Sequence, residues 1–185
     1  MSDHQADISV FSREIEAASV SPRVSERQVE ASEAERVALA EVLELQGIGR
    51  LIATLRLRRL ASGLIEVTGN MESEVVQTCV VTLEPVPAEI RENFRLTFGD
   101  VEPEPTLGEI DIHFDDSDPP EPIVDGKIDL GALVAEQLSL ALDPYPHEEG
   151  AEVPQEFAPN EAEIHALETP PATRKPFAGL DKLKK

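Results

Sequence analysis

Apolar residues recur at helical spacing in the segment that begins at Ser32 and runs to Leu45. Ser32 and Glu35 have the spacing of a capping box, in which each side chain accepts a hydrogen bond from the other residue's backbone N–H. Gly47 and Gly49 follow this segment, and glycine commonly ends a helix. The pattern therefore predicts a helix from Ser32 to Leu45.

A second helix is predicted directly after Asp129, whose carboxylate is a favourable N-cap. Its inward positions recur at helical spacing, and Glu136 points away from them. Pro144 and Pro146 follow the last inward residue and end the helix. The inward face consists of Leu130, Leu133, Val134, Gln137, Leu138, Ala141 and Leu142.

Between the two helices, apolar and polar residues alternate with the period of two that is typical of half-buried strands. Over Leu51–Arg58 this alternation predicts a strand with arginines on its outer face. Ser62 and Gly63 predict a turn, and Leu64–Thr68 is predicted to be the partner strand.

Further strands are predicted on both sides of this hairpin. Gly69 interrupts the pattern, and extended structure resumes over Met71–Val81. Pro85 and Pro87 then end it, because proline donates no hydrogen bond to a ladder. The remaining predicted strands are Ile90–Phe98, Ile8–Ile15 and Ile110–Phe114.

Hairpin-type strands between two helices predict an α+β fold with a mainly antiparallel sheet. We expect a single α+β domain over residues 1–150, with an acidic insert at residues 100–125. Residues 151–185 are rich in proline and poor in apolar residues, so they are predicted to form a disordered C-terminal tail.

Composition and net charge indicate which kinds of macromolecule this protein could bind. The chain has 185 residues, with 16 Lys and Arg against 37 Asp and Glu, and a formal net charge of -21. Because so acidic a surface repels phosphate, nucleic-acid binding across the whole surface is excluded. The charge favours a basic protein as partner, or function through one local patch.

The acidity is greatest in residues 100–125, which hold ten carboxylates and no basic residue. One interpretation is a surface that attracts a basic partner, and the other is a solubilising loop, which is what most charge runs are. The candidate partner-binding carboxylates are Asp111, Asp115, Asp116, Asp118 and Glu121.

Arginines cluster on two of the predicted strands. Arg56 and Arg58 share one strand, and Arg91 and Arg95 share a later one. If the two strands are close together, these side chains form a basic strip that binds phosphate. The alternative is that the arginines pair across strands with nearby glutamates, namely Glu66, Glu72, Glu74 and Glu92.

The sequence predicts no enzyme and no cofactor, because no phosphate loop, nucleophile elbow or convergent set of titratable residues occurs. Cys79 is the only cysteine, which excludes an intramolecular disulfide and a cysteine cluster for zinc. Its apolar neighbours predict a buried thiol, and no adjacent Lys or His activates it. His113 between Asp111 and Asp115 resembles a cation site, but we interpret it as solvated surface.

No membrane or export signal is recognised. The longest apolar run is far shorter than the roughly 20 residues that a membrane-spanning helix needs. The polar residues Met1 to Asp7 lack the features of a signal peptide. We therefore expect a cytoplasmic protein.

Two blocks of the sequence resemble the YceD family, the large ribosomal RNA subunit accumulation proteins. Gln77–Val86 is similar to the region in which the family carries a Cys-x-x-Cys pair followed by Leu and a Pro–hydrophobic pair. Ile128–Pro146 is similar to its Asp-Leu opening, helix and closing proline pair. The blocks occur in the family's order, and the resemblance covers roughly Ile8 to Pro146.

The chain departs from this family at the cysteines. Thr82 stands where the second cysteine is expected, and His147 and the two glutamates after it stand where relatives carry another cysteine pair. At most Cys79 and His147 remain, whereas a zinc site needs about four ligands. A metal is therefore not expected here.

The resemblance implies a non-enzymatic role in ribosome biogenesis that supports accumulation of large-subunit rRNA. The expected partner is a basic ribosomal protein or a large-subunit precursor, with rRNA contacted indirectly and no small-molecule substrate. The alternatives are direct RNA binding through the arginine strip and, less favoured, a small RNA-processing enzyme.

Overall fold

The computed structural model describes residues 10–100 and 119–151. The predicted strand Ile110–Phe114 lies outside these residues, and so does the predicted tail after Ala151. Most of the acidic insert also lies outside them.

Within the described residues, strands predominate and two α-helices flank them. All the elements belong to the first of the two units into which the chain divides, Met1–Glu148 and Glu149–Lys185. In chain order they are β1 (Glu14–Glu16), a 3-10 helix (Ala17–Ser19), β2 (Ser25–Glu30), α1 (Glu33–Val42), β3 (Gly47–Arg59), β4 (Ile65–Thr78), β5 (Pro85–Gly99), β6 (Glu121–Pro122), β7 (Lys127–Asp129) and α2 (Leu130–Ala141). These elements confirm the predicted α+β fold.

The main sheet has five strands in the order β2-β3-β4-β5-β6, and a separate two-stranded sheet pairs β1 with β7. All neighbours are antiparallel except β6, which runs parallel to the end of β5. Apolar residues from the inner face of the main sheet and from both helices form one core. Its largest fully buried members include Phe11, Leu39, Leu51, Leu55, Leu57, Ile65, Met71, Leu130 and Leu138.

Helix α1 begins as predicted, with the capping box of Ser32 and Glu35 formed in both directions. Its predicted end at Leu45 is wrong, because Glu44 adopts a left-handed conformation with φ of 54°. This lets the Leu45 N–H donate to the Ala40 carbonyl at 2.8 Å, which satisfies a helix-end acceptor. Gly47, predicted to end the helix, instead begins β3.

The alternation predicted for β3 and β5 is confirmed, but Gly69 does not interrupt β4. Pro85 and Pro87 lie within β5 and do not end a strand, which corrects the prediction. The Val76 carbonyl accepts from the Gln46 N–H at 2.8 Å, so Val76 bonds away from β5. Pro87 lies opposite Val76 and therefore needs no N–H toward β4.

The N-terminal part of the fold differs most from the prediction. Of the described part of the predicted strand Ile8–Ile15, only Glu14 and Ile15 lie in a strand, β1, which pairs with β7. Strand β2 was not predicted, because it is largely polar and only Val29 is buried. It forms the edge of the main sheet, where polar side chains face solvent on both sides.

Helix α2 confirms its prediction at the N-terminus, where the Asp129 carboxylate accepts from the N–H groups of Gly131 and Ala132. Leu130, Leu133, Val134 and Leu138 are buried, and Glu136 is exposed. Neither helix in the described part of the chain is long and apolar enough to cross a membrane.

Candidate functional site

The outer face of the main sheet carries the four arginines of the predicted strip. Arg56 and Arg58 belong to β3, and Arg91 and Arg95 belong to β5, with β4 between them. Arg56 and Arg95 both lie opposite Thr68 of β4 and therefore share one cross-strand row. Register brings these two together, while Arg58 and Arg91 lie in other rows.

Carboxylates accompany most of these arginines. Arg58 contacts Glu66 at 2.8 Å, and Glu66 is one of the four glutamates named in the alternative interpretation of the arginines. Arg91 contacts Glu89 at 3.3 Å, a partner the sequence did not suggest. The remaining outer-face pairs are Arg50–Glu72 at 3.5 Å and Arg56–Glu26 at 3.2 Å. The face therefore alternates in charge and is not continuously basic.

A cavity of about 590 Å³ lies at the centre of this face. Among residues 10–100 and 119–151, Arg56 and Arg95 are the only charged residues that line it, and Arg95 has no ion-pair partner there. The Asn70 amide donates to the Asn93 amide oxygen at 2.9 Å beside them. The other lining residues are Thr54, Thr68, Gly69 and Phe94. Two guanidinium groups with neighbouring amides and hydroxyls form a site that suits an oxyanion.

The candidate carboxylates are less fully described. Asp111, Asp115, Asp116 and Asp118 lie outside the described residues, as does His113. Glu121 is exposed on β6, opposite Phe98 at the end of β5. Glu121 is therefore the one candidate carboxylate whose position the structure describes, and it lies at the edge of the main sheet.

Cys79 begins the turn between β4 and β5, so β4 ends before the predicted Val81. The thiol is buried, as predicted, and its sulfur accepts from the N–H groups of Val81 and Thr82 at 3.4 and 3.3 Å. The Thr82 hydroxyl and then the backbone N–H groups, including that of Glu148, lower the pKa of Cys79 to about 6. Sequence reasoning missed this shift because it considered only neighbouring Lys and His side chains.

The residues around Cys79 do not assemble a metal site. In the part of the chain that the structure describes, no group of three or more His, Cys, Asp or Glu side chains is placed to hold a metal ion. His147 Nδ1 lies 3.0 Å from the Tyr145 carbonyl, which can accept its proton. Thr82 supplies a hydrogen-bond donor to the sulfur where a second ligand is otherwise expected.

Arg13 joins the N-termini of both helices. Its guanidinium donates to the Glu35 carboxylate through bonds of 2.7 and 3.0 Å, and its backbone N–H donates to Asp129 at 2.7 Å. The bond to Arg13 is the main reason why the pKa of Glu35 is lowered to about 2. Sequence analysis identified Glu35 and Asp129 as capping residues but missed the link, because Arg13 is 116 residues from Asp129.

Comparison with known proteins shows to which family the chain belongs. Residues 67–184 match the family described as large ribosomal RNA subunit accumulation protein YceD. Neither a curated protein nor a solved structure matches the chain significantly. The family match begins within β4 and continues past Pro146, so its limits differ from the resemblance over Ile8 to Pro146. Because it covers well over half of the chain, the protein belongs to the YceD family.

Proposed function

We propose that this protein is a non-enzymatic, cytoplasmic factor that supports accumulation of large-subunit rRNA by binding a basic ribosomal protein or a large-subunit precursor. The family match carries the proposal, because it connects the chain to accumulation of the large rRNA. The choice of a protein as the direct partner is our own step and rests on charge.

Two features of charge support a basic protein partner. The formal net charge of -21 opposes the approach of a polyanion and favours that of a polycation. The arginines of the outer face do not reverse this, since Arg56, Arg58 and Arg91 each lie within ion-pair distance of a glutamate. In this proposal rRNA is held indirectly, through the bound ribosomal protein.

The acidic insert supplies the attractive surface in the same proposal. Asp111, Asp115, Asp116, Asp118 and Glu121 belong to a run in which no basic residue neutralises the carboxylates. Such a run steers a basic partner by its field, and added salt weakens that steering.

Affinity purification of the tagged chain, with and without ribonuclease, tests the function. We expect one basic large-subunit protein to remain bound after ribonuclease treatment. We also expect the chain to co-sediment with large-subunit precursors in low salt and to dissociate in high salt. Absence from the precursor fraction in low salt would contradict the function, and loss of every ribosomal protein with the RNA would contradict the protein partner.

Direct RNA binding is the second candidate, and the cavity between Arg56 and Arg95 favours it. Two arginines without a lining carboxylate suit one or two backbone phosphates, even in an acidic protein. Arg58 and Arg91 contribute less to this candidate because they do not line the cavity, whereas Arg56 lines it although it also lies 3.2 Å from Glu26.

Charge reversal distinguishes this candidate from the first. An Arg56→Glu/Arg95→Glu variant is compared with Arg23→Glu/Arg27→Glu, which changes the net charge equally at exposed positions on or beside β2. An RNA gel-shift assay in which only the first variant loses binding supports direct contact. Equal behaviour of the two variants argues for indirect contact.

A further inference from the structure

One end of the domain brings together the turn after β4 and the chain that leaves α2. The Val80 N–H donates to the Pro146 carbonyl at 2.8 Å. The Gln77 side chain, itself buried, donates to the Asp143 carbonyl at 2.9 Å. These bonds fix the two segments side by side, so the surface that they form is part of the folded domain.

This end exposes four large apolar side chains, half of the eight found exposed among the described residues. Leu140 is 74% exposed, Tyr145 and Leu83 are each 73% exposed, and Val80 is 54% exposed. We call these four residues the apolar patch. Scattered apolar residues are normal on a protein surface, but these four lie on segments that hydrogen bonds hold side by side.

Backbone strain coincides with the apolar patch. Leu83 has a φ of 63°, a left-handed conformation that is unfavourable for a leucine. A glycine would adopt this conformation more easily and would not expose an apolar side chain. The position therefore carries two unfavourable features at once, a strained backbone and an exposed apolar side chain.

A groove of about 510 Å³ adjoins the patch at Leu140. Its apolar lining comes from the segment after α1, the end of α2 and the segment after α2. Among the described residues, Glu44 and Asp143 are the only charged residues that line it, and no Lys or Arg does. The remaining lining residues are Leu43, Leu45, Gln77, Thr78, Ser139, Leu142, Pro144 and Pro146. An apolar groove with carboxylates alone is complementary to a segment that combines an apolar side chain with lysine or arginine.

We propose that the apolar patch and this groove dock a basic segment of a partner protein, with an apolar side chain against Leu140 and cationic side chains beside Glu44 and Asp143. This inference rests on the proposed function, because that function requires a basic protein partner. It adds a second contact surface, made of residues other than those of the acidic insert. This surface holds the partner by burial of apolar side chains, whereas the insert attracts the partner electrostatically.

Site-specific photo-crosslinking tests the proposal on the full chain. A benzophenone side chain replaces Leu140 in one sample and Val37 in the control, which is 58% exposed on α1. The probe is a mixture of purified large-subunit ribosomal proteins freed of RNA. We expect a crosslink to a basic protein from position 140 and none from position 37. A crosslink from position 140 to residues 152–185 of the same chain, or to a second copy, would overturn the proposal.

Two substitutions measure the contribution of the patch. Leu140→Arg is expected to weaken binding to the same probe at least ten-fold, while Val37→Arg leaves it unchanged. Leu83→Gly removes an apolar side chain and suits the left-handed backbone, so it is expected to weaken binding without lowering the urea midpoint. Equal binding by Leu140→Arg and Val37→Arg overturns the proposal.

The outcomes separate this inference from the proposed function. If the chain co-sediments with large-subunit precursors but Leu140→Arg does so equally well, the docking site is wrong and the function stands. If the wild type does not co-sediment at all, the proposed function fails. If the wild type co-sediments but binds no RNA-free ribosomal protein, the basic-segment partner is wrong.

Discussion

Arg13 and Glu35 form a two-bond ion pair that stabilises the fold. The Glu35 carboxylate accepts hydrogen bonds from the Ser32 N–H at 2.8 Å and from the Arg13 guanidinium. The backbone N–H of Arg13 also donates to the Asp129 carboxylate. The Arg13 guanidinium stacks over Phe11, 5.0 Å from the ring centroid. One arginine thereby fixes the N-terminal segment against the first turns of both helices.

Loss of the Glu35 charge is expected to destabilise the protein in a pH-dependent way. Because the pKa of Glu35 is lowered to about 2, its contribution is complete above the ordinary glutamate pKa and disappears as the pH falls toward 2. Glu35→Gln should lower the free energy of unfolding at neutral pH by about 1–2 kcal/mol. Urea unfolding between neutral and acidic pH should show the difference shrinking. Glu33→Gln, in the same helical turn, is the control, and an equal loss there would contradict the assignment.

Cys79 differs from an ordinary buried thiol because several donors surround its sulfur. The pKa of about 6 predicts that the folded protein holds a thiolate at neutral pH. Absorbance of the thiolate should therefore titrate with a midpoint near 6, and Cys79→Ser should abolish the signal. The lowered pKa also predicts that the stability of the wild type, relative to Cys79→Ser, is greatest above the free-thiol pKa of about 8.5 and falls as the pH drops from there to about 6. A midpoint near the free-thiol value of about 8.5 would show that the donors do not act on the sulfur.

At the scale of elements, the main sheet depends on one close approach between strands. Gly69 in β4 lies opposite Phe94 in β5, and a Cβ atom at Gly69 would overlap the Phe94 ring. The glycine that sequence analysis took as an interruption is the position over which an aromatic ring packs.

Gly69→Ala is accordingly expected to lower the free energy of unfolding by about 1–3 kcal/mol, the usual range for overpacking. Gly47→Ala is the matched control, because a Cβ there has open space and Gly47 also lies in a strand. In a Phe94→Ala background the same Gly69→Ala change should cost much less, since the overlapping ring is gone. Denaturant unfolding of the four members of this cycle measures the coupling, and additive effects would refute it.

The sequence correctly predicted those structural features that depend on residues close together in the chain. The capping box at Ser32, the N-cap at Asp129 and the alternation along β3 each involve neighbouring residues, and each is confirmed. Strand β2 forms because it pairs with β3, which is distant in the sequence. Helix α1 ends because Glu44 adopts a left-handed backbone conformation. Neither cause produces a periodic pattern, so neither feature could be predicted from periodicity.

The candidate sites likewise combine features that neighbouring residues determine with features that depend on residues distant in the sequence. The alternation placed all four arginines on an outer face, but only strand order and register bring Arg56 and Arg95 into one row. The donors around Cys79 are mostly backbone groups, and one of them, from Glu148, is distant in sequence. The apolar patch likewise exists only because the turn after β4 meets the chain after α2.

At the scale of the whole molecule, charge is distributed unevenly. Arginines and glutamates alternate across the outer face of the main sheet, so their fields largely cancel there. Residues 100–125 hold ten carboxylates without any cation. Long-range attraction of a basic partner is therefore expected to arise from this run, more than from the net charge of the molecule.

Neutralising part of the run should weaken association selectively. The test variant replaces Asp115, Asp116, Asp118 and Glu121 with their amides, and the control does the same to Glu156, Glu161, Glu163 and Glu168. Both variants carry the same net charge, so a difference between them reports on position. We expect only the first to leave the large-subunit fraction in low-salt gradients, and to associate more slowly with a weaker dependence on salt. Equal behaviour would mean that net charge alone steers the partner, because the two variants differ only in where the charge was removed.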